Sequence, residues 1–88
     1  MGLLYMKKDG HYIVFHTTGG EIISRMNMEE LLSSLPPDNY ARIHKSFVVA
    51  IDKIDTIEKH EVFIRGKEIP IGGRFRDDFL NRIAFSGK

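Results

Sequence analysis

The chain has 88 residues, of which 42% are hydrophobic and 28% charged, and its formal net charge at pH 7 is +1. A chain of this length suits one domain, and its composition is too apolar for a disordered segment. The absence of cysteine excludes disulfides and thiolate metal sites, and no apolar run approaches the roughly 18 residues that a membrane span needs. The N-terminus lacks the charged-then-apolar order of a signal peptide. We therefore expect a single cytoplasmic domain over residues 1–88, with no membrane contact and no cofactor.

The basic residues are informative through their positions, because a net charge of +1 is by itself weak evidence for binding a polyanion. Charges on turns are most often simply solvated, so their placement alone does not establish a binding site. The basic side chains that fall in or beside predicted turns are Lys7, Lys8, Arg42, Lys45, Arg65, Lys67, Arg74 and Arg76.

The first part of the chain predicts two β-hairpins followed by a short helix. Alternating and β-branched residues predict strands over 3–6, 11–16 and 21–26, joined by turns over 7–10 and 17–20. The Asp9-Gly10 pair suits a tight turn that needs positive φ. Asn27, with Glu30 three residues later, predicts a capped helix over 28–34, which the following prolines cannot continue.

From residue 40 the pattern predicts a β-meander and then a second helix. Strands are predicted over 40–44, 47–51, 54–58, 61–65 and 68–71, with turns at residues 59–60 and 66–67 and room for a bulge in the third strand. Apolar residues at helical spacing predict a helix over 75–83, with Asp77 and Asp78 near its N-terminus. Residues 86–88 are expected to fray.

The spacing of potentially reactive side chains does not support catalysis or metal binding. No two of the four histidines are separated by the four residues of a helical zinc site. His44 and Ser46 lack a nucleophile elbow, and the glycine pairs lack the Gly-Lys-Ser/Thr ending of a phosphate loop. We expect neither an enzyme nor a metal site.

The segment Tyr40–Ile54 reads YARIHKSFVVAIDKI. It resembles the signature of LytTR-type DNA-binding domains, in which an aromatic residue and Arg-Ile-His-(Arg/Lys)-Ser-(Phe/Tyr) are followed by a hydrophobic residue, Asn and a later Ile. The opening hairpin over 4–14 and the closing segment Ile69–Phe75, with its Ile-Pro-Ile-Gly-Gly-Arg-Phe sequence, are also similar to the family. The resemblance therefore covers essentially the whole chain.

This resemblance implies a mostly β fold, an elongated arrangement of small antiparallel sheets with one short mid-chain helix and a short C-terminal helix. It also implies that loops, rather than a recognition helix, enter the DNA major groove. The family usually forms the output half of a two-component response regulator. The expected function is sequence-specific binding of double-stranded DNA, and the alternative is a protein-interaction β domain that has lost DNA binding.

The family's DNA-contacting positions, carried over by residue, are His11, Lys45, Gly73 and Arg74. Lysine and arginine can donate to the O6 and N7 acceptors of guanine, and histidine can donate to or accept from a base edge. The residues expected at phosphates are Lys7, Lys8, Arg42 and Arg76. Ser46 suits either a phosphate contact or local capping of its turn. His44 is expected to be partly buried and hydrogen-bonded to backbone, with Phe47, Val49 and Ile51 in the core.

Three features depart from the family pattern. Gly73 stands where the family commonly has arginine, and Ala50 stands where asparagine is common. The chain also begins at the family's second strand, which suggests a fragment without a receiver domain. A missing edge strand would leave backbone groups unpaired, and such an edge invites dimerisation. Two homodimer arrangements are therefore considered, one in tandem on DNA and one by strand addition at the missing edge.

Overall fold

The computed structural model describes residues 2–86, of which the last two are described by backbone alone. A five-stranded antiparallel sheet forms the centre of the fold. The strand order is β3-β2-β1-β5-β4, so the first strand of the chain is the middle strand of the sheet. The unpaired edges of this sheet are therefore β3 and β4, and β1 is paired on both sides. The bounds are β1 Leu3–Asp9, β2 Tyr12–Thr17, β3 Gly20–Arg25, β4 Tyr40–His44 and β5 Phe47–Ala50.

A second, three-stranded antiparallel sheet has the order β6-β7-β8, with β6 at Thr56–Ile57, β7 at Glu61–Ile64 and β8 at Lys67–Pro70. The single meander predicted from residue 40 is therefore wrong, because its strands divide between two sheets. A 3₁₀ turn over Ile51–Lys53 separates them, and the Ile54 N–H closes this turn on the Ile51 carbonyl at 3.3 Å. The third predicted strand shrinks to the two residues of β6.

Two hydrophobic clusters lie on opposite faces of the five-stranded sheet, because neighbouring residues of a strand point to opposite sides. Tyr5 and Val49 are cross-strand partners in one cluster, and Met6 and Val48 are partners in the other. The second cluster is closed by helix α1, Met28–Ser34. The first is closed by the three-stranded sheet and helix α2, with buried residues Leu4, Tyr5, Ala41, Ile43, Val49, Val62, Ile64, Ile69, Ile71 and Phe79.

Helix α1 has the predicted bounds and cap. The Asn27 side chain accepts a hydrogen bond from the Glu30 N–H at 2.8 Å, and the Asn27 N–H donates to the Glu30 carboxylate at 2.9 Å. The helix ends at Ser34, two residues before the first proline. This reciprocal pair satisfies two of the backbone donors that a helix start leaves free.

Two predicted turns are displaced in the structure. β1 continues through Asp9, so Lys7 and Lys8 lie in a strand, and the turn is Gly10-His11 with Gly10 at φ +62°. A positive φ at the first of two central residues suits a glycine in a type II′ turn. Between β7 and β8 the turn is Arg65-Gly66, both at positive φ. The Asp55 carboxylate accepts a hydrogen bond from the Arg65 N–H at 2.8 Å.

Helix α2 spans Gly73–Ser86, so it begins two residues earlier than predicted and includes Ser86. Glycines usually interrupt a helix, but here the Phe75 N–H donates to the Gly72 carbonyl at 2.9 Å and starts the first turn. Asp77 and Asp78 consequently follow the first turn, which contains Arg74 instead. The predicted fraying of Gly87 and Lys88 lies outside the described residues.

Candidate nucleic-acid interface

One end of the five-stranded sheet gathers the segments singled out by the sequence. Asp9 pairs with Tyr12, and Lys7 and His44 both pair with Phe47. The Gly10-His11 turn, the Lys45-Ser46 turn and the C-terminal half of β1 therefore lie at the same end. We call this region, with residues 72–74 at the start of α2, the loop end.

Backbone hydrogen bonds join β1 to the Lys45-Ser46 turn. The Lys8 N–H donates to the Ser46 carbonyl at 2.8 Å. The side chains of Lys7 and Lys8 are both exposed, and the Lys7 amine lies 5.9 Å from the centre of the Phe47 ring. Because Lys7 and Lys8 are neighbours in a strand, they present positive charge on both faces of the sheet.

His44 stabilises the turn that follows it. Its Nδ1 atom accepts a hydrogen bond from the Ser46 N–H at 3.1 Å, and its ring packs edge-on against Phe47 at 5.5 Å. This confirms the expected half-buried histidine that bonds to backbone. Since Nδ1 is an acceptor, the proton of the neutral ring is on Nε2. Lys45 lies at the tip of the turn and is exposed.

Arg42 is held against the same turn from the other side. Its Nε donates to the His44 carbonyl at 3.3 Å and its Nη2 to the Lys45 carbonyl at 2.7 Å. The guanidinium also lies 5.2 Å from the centre of the Phe75 ring, within the range of a cation–π contact. Arg42 is half-buried, and its Nε and Nη2 atoms are both bonded to the turn.

Close packing brings the start of α2 beside this turn. The Gly72 N–H donates to the Ile43 carbonyl at 2.7 Å. A Cβ at Gly72 would lie 3.3 Å from the Phe75 ring and 3.5 Å from His44, so only glycine allows this approach without displacement. An open depression of about 150 Å³ remains between the two segments, lined by His44, Lys45, Gly72, Gly73, Arg74 and Phe75.

Gly73 and Arg74 are exposed in the first turn of α2. A Cβ at Gly73 would meet no atom within 4 Å, so the position has room for a side chain. The Arg74 guanidinium lies 5.5 Å from the Phe75 ring, on which Arg42 also packs. Phe75 therefore organises both arginines, although the sequence indicated only a helical core position for it.

Two predicted site residues stand somewhat apart from this depression. His11 is exposed in its hairpin turn, at the same end of the sheet. Arg76 is half-buried, and its Nη1 lies 3.3 Å from Nδ1 of His60, in the connection between β6 and β7. The structure thus gathers Lys45, Gly73 and Arg74 tightly, with His11 farther along the sheet end and Arg76 turned towards the smaller sheet.

Within residues 2–86, no group of three or more histidine, aspartate or glutamate side chains is arranged to hold a metal ion. In the same part of the chain, no helix is long and apolar enough to cross a membrane.

A family model of the LytTr DNA-binding domain matches residues 2–84. A solved LytTr DNA-binding domain, from a protein of Bacillus cereus described as a methyl-accepting/DNA response regulator, superposes with a TM-score of 0.82 at 19% identity, covering 94% of this chain and 82% of that one. The superposition shows the fold, and the family-model match over residues 2–84 shows the class: the chain belongs to the LytTr DNA-binding domain family.

Two curated relatives are similar in sequence over part of their length. The CO-responsive transcriptional regulator RcoM of Rhodospirillum rubrum is 35% identical over 60 residues, which is 68% of this chain and 25% of that protein. An uncharacterized response regulatory protein of Vibrio cholerae is 34% identical over 61 residues, 65% of this chain and 23% of that protein. The chain thus matches about a quarter of the length of each relative.

Proposed function

We propose that this chain recognises specific sequences of duplex DNA through its loop end, as the output domain of a cytoplasmic transcription regulator in two-component signalling. The observation that carries the proposal is the depression in which Lys45 and Arg74 lie on two segments joined by the Gly72–Ile43 hydrogen bond. Both side chains are exposed while the backbone beneath them is fixed. A fixed backbone that presents exposed cationic side chains suits recognition of base edges.

The chemistry of the two side chains differs in a useful way. Arg74 can donate two parallel hydrogen bonds to O6 and N7 of guanine, whereas Lys45 offers one compact charge for a base or a phosphate. Lys7 and Lys8 extend the positive surface along the end of the sheet, where phosphates would fix the position of the protein without specifying sequence. The His11 ring, in the neighbouring turn, can donate to or accept from a base edge. The backbone of Ser46 bonds to His44 and Lys8, and its hydroxyl is proposed as a phosphate contact.

The position of Arg74 in the first turn of α2 supports an anionic partner. A helix N-terminus carries partial positive charge, so a cation there is disfavoured by about 0.3–1 kcal/mol in the free protein. A phosphate or a guanine acceptor placed at this turn would remove that penalty and would accept from the free backbone N–H groups as well. Arg74 at this position therefore favours binding of an anion more than it favours the stability of the free protein.

Arg42 is better explained as a positioning residue than as a phosphate contact. Its two hydrogen bonds to the carbonyls of His44 and Lys45 hold the turn from which Lys45 projects. Its stacking on Phe75 connects that turn with the first turn of α2. Arg42 thus fixes the distance between two DNA-contacting segments. Arg76, which contacts His60, is proposed only as a phosphate contact at the margin of the site.

The proposal is tested by selecting bound sequences from a randomised duplex library at two salt concentrations. An enriched short motif is expected, and its repeat spacing reports whether two copies bind in tandem. Each phosphate contact should contribute about 0.9 to the slope of log K against log salt. Recovery of no motif from folded protein would favour the alternative, a protein-interaction domain, for which the net charge of +1 and the bare Gly73 position are the supporting observations.

Single-residue variants separate base recognition from charge. Lys45→Ala and Arg74→Ala are each expected to weaken binding to the selected site by about 1–3 kcal/mol, and to weaken unrelated DNA much less. Lys53→Ala is the matched control, because Lys53 is exposed beyond the opposite end of β5. Equal losses for all sequences would reduce Lys45 and Arg74 to phosphate contacts.

A further inference from the structure

Strand β3 is an unprotected sheet edge. Ile22 and Ile23 are 52% and 63% exposed, the largest exposures among the large hydrophobic residues described. Exposed apolar edge strands favour pairing with another strand, and proteins usually suppress this with lysine, proline, bulges or a covering element. β3 has no lysine, no proline and no shift of register against β2.

The other described edges carry such protection. Strand β4 has a register irregularity between Arg42 and His44, packs against α2, and uses the Ile43 carbonyl to accept from Gly72. Strand β8 contains Lys67 and Pro70, and β6 is only two residues long. β3 is therefore the edge of the described fold that is open to strand addition.

The sequence of β3 is complementary to itself in one antiparallel register. In this register Ile23 faces Ile23 of the second copy, and Glu21 faces Arg25 at both ends. Directly opposed residues must share a face of the continued sheet, which excludes registers shifted by one residue. The two-residue turn between Thr17 and Gly20 fixes the ladder of β2 and β3, so the backbone groups of Glu21, Ile23 and Arg25 point outwards.

The three side chains of this face are available in the monomer. Glu21 is exposed and lies 3.5 Å from the His16 ring, and Arg25 is exposed and packs 5.8 Å from the Tyr12 ring. On the other face, an open apolar depression of about 310 Å³ continues the exposed surface, lined by Leu3, Phe15, Thr17 and Ile22. We infer that two copies of this chain associate through antiparallel pairing of their β3 strands, centred on Ile23, to form one continuous ten-stranded sheet.

This dimer has a consequence for DNA, which rests on the proposed function. The two-fold axis of an antiparallel edge pairing is perpendicular to the sheet, so it reverses the strand direction of the second copy. Because β3 ends at Arg25, beside the Gly10-His11 turn, the two loop ends point in opposite directions. The dimer therefore bridges two duplex segments instead of binding adjacent half-sites.

The association is measured first without DNA, by sedimentation equilibrium of this chain from about 10 μM to about 1 mM, a range suited to a small interface. A species of twice the chain mass is expected to form reversibly. Ile23→Lys places two ammonium groups face to face and is expected to give monomer throughout. Leu80→Lys is the matched control, since Leu80 is 37% exposed on α2, and it should associate like the parent chain. Circular dichroism checks that both variants fold.

Charge reversal then tests the register. Glu21→Arg and Arg25→Glu each create two like-charge pairs and are expected to weaken association about tenfold, whereas the double variant restores it. Parent chain that stays monomeric at about 1 mM, or a dimer that tolerates Ile23→Lys, overturns the inference. If Ile23→Lys abolishes the dimer but Glu21→Arg and Arg25→Glu have no effect, the register that opposes Glu21 and Arg25 is overturned.

A bridging assay keeps the dimer separate from the DNA proposal. Beads that carry one duplex of the selected sequence are expected to retain a second, labelled duplex only with dimeric protein. Ile23→Lys should bind single duplexes like the parent chain and lose bridging. A dimer that binds no DNA would defeat the proposed function and leave the β3 pairing intact. A chain that binds DNA but stays monomeric would defeat the β3 pairing and leave the proposed function intact.

Discussion

Arg42 donates a hydrogen bond from Nη2 to the backbone carbonyl of Lys45 at 2.7 Å. Lys45 is the residue at the tip of its turn in the loop end. The same guanidinium donates from Nε to the carbonyl of His44 and packs on Phe75. A fork of donors in one plane matches two successive carbonyls, which a lysine ammonium on a flexible chain would not do as well. The turn and the helix start are thus held by one side chain.

Replacement of Arg42 by lysine keeps the charge and removes the fork. We expect Arg42→Lys to weaken binding to the selected DNA by about 1–2 kcal/mol, because binding must then also fix the backbone of the Lys45 turn, at about this cost for one residue. The salt slope should stay unchanged, since no phosphate contact is lost. Fluorescence anisotropy at four salt concentrations measures both quantities. Full retention of affinity in Arg42→Lys would instead indicate the phosphate contact predicted from sequence.

The adjacent glycines of the loop end should respond in opposite ways. Gly73→Arg adds a donor where a Cβ meets open space, so the variant is expected to fold and to bind the selected DNA more tightly by about 1 kcal/mol. Gly72→Ala would place its Cβ 3.3 Å from the Phe75 ring, closer than an ordinary contact, and it is expected to lower both stability and affinity. Gly73→Ala is the control for helix propensity without added charge. Equal affinity of Gly73→Arg and Gly73→Ala would argue against a DNA contact at this position.

Lys45 and Arg74 face one depression, so their contributions should be coupled if they contact neighbouring groups of the DNA. A double-mutant cycle with Lys45→Ala and Arg74→Ala is expected to give an interaction energy of about 0.5 kcal/mol or more. Anisotropy titrations of the four proteins with one duplex provide the cycle. Strict additivity would mean that the two side chains bind independent parts of the duplex.

The parts of the fold that depend on local sequence were predictable. Asn27 and Glu30 are three residues apart, and their reciprocal hydrogen bonds need nothing beyond that segment. The half-buried His44 was likewise implied by the family resemblance, and it bonds within two residues of itself. Such features follow from short-range backbone geometry, which the residue types largely determine.

The features that the sequence did not predict depend on distant partners. Pairing of β1 with β5 joins Lys7 to Phe47 across about half the chain, and no local pattern specifies that neighbour. The early start of α2 depends on the Gly72 contact with Ile43, and the role of Arg42 depends on Phe75 lying within reach. A charged side chain beside a turn looks the same in sequence whether it supports that turn or binds a ligand.

The helix α1 cap provides a test of stability away from the loop end. Asn27→Ala removes the acceptor of the Glu30 N–H and is expected to lower the free energy of unfolding by about 1 kcal/mol. Urea denaturation with a constant slope measures this change. Glu29→Ala is the control, because Glu29 is exposed in the same turn and is not part of the capping box. An equal loss in both variants would show that the effect is not specific to the capping hydrogen bond.

His16 gives the fold a pH dependence with a definite sign. Its ring stacks on the Tyr5 ring at 4.2 Å, and burial lowers its pKa below the ordinary 6.5. Lys7 and Lys67 act in the same direction, while the nearby Glu21 carboxylate raises the pKa and only partly compensates. The unfolded chain therefore binds a proton at His16 more readily than the folded chain does.

Stability from this group is fully present above the unfolded pKa of 6.5 and is lost as the pH falls towards the lower folded value. His16→Phe keeps an aromatic ring against Tyr5 and removes the titration. We expect thermal unfolding of the parent chain to shift to lower temperature between pH 7 and pH 5 by more than that of the variant, with the difference opening below about pH 6.5. The same comparison at pH 8 is the control, because His16 is neutral there in both the folded and the unfolded chain. Parallel pH profiles for the two proteins would show that the ring does not change its proton affinity on folding.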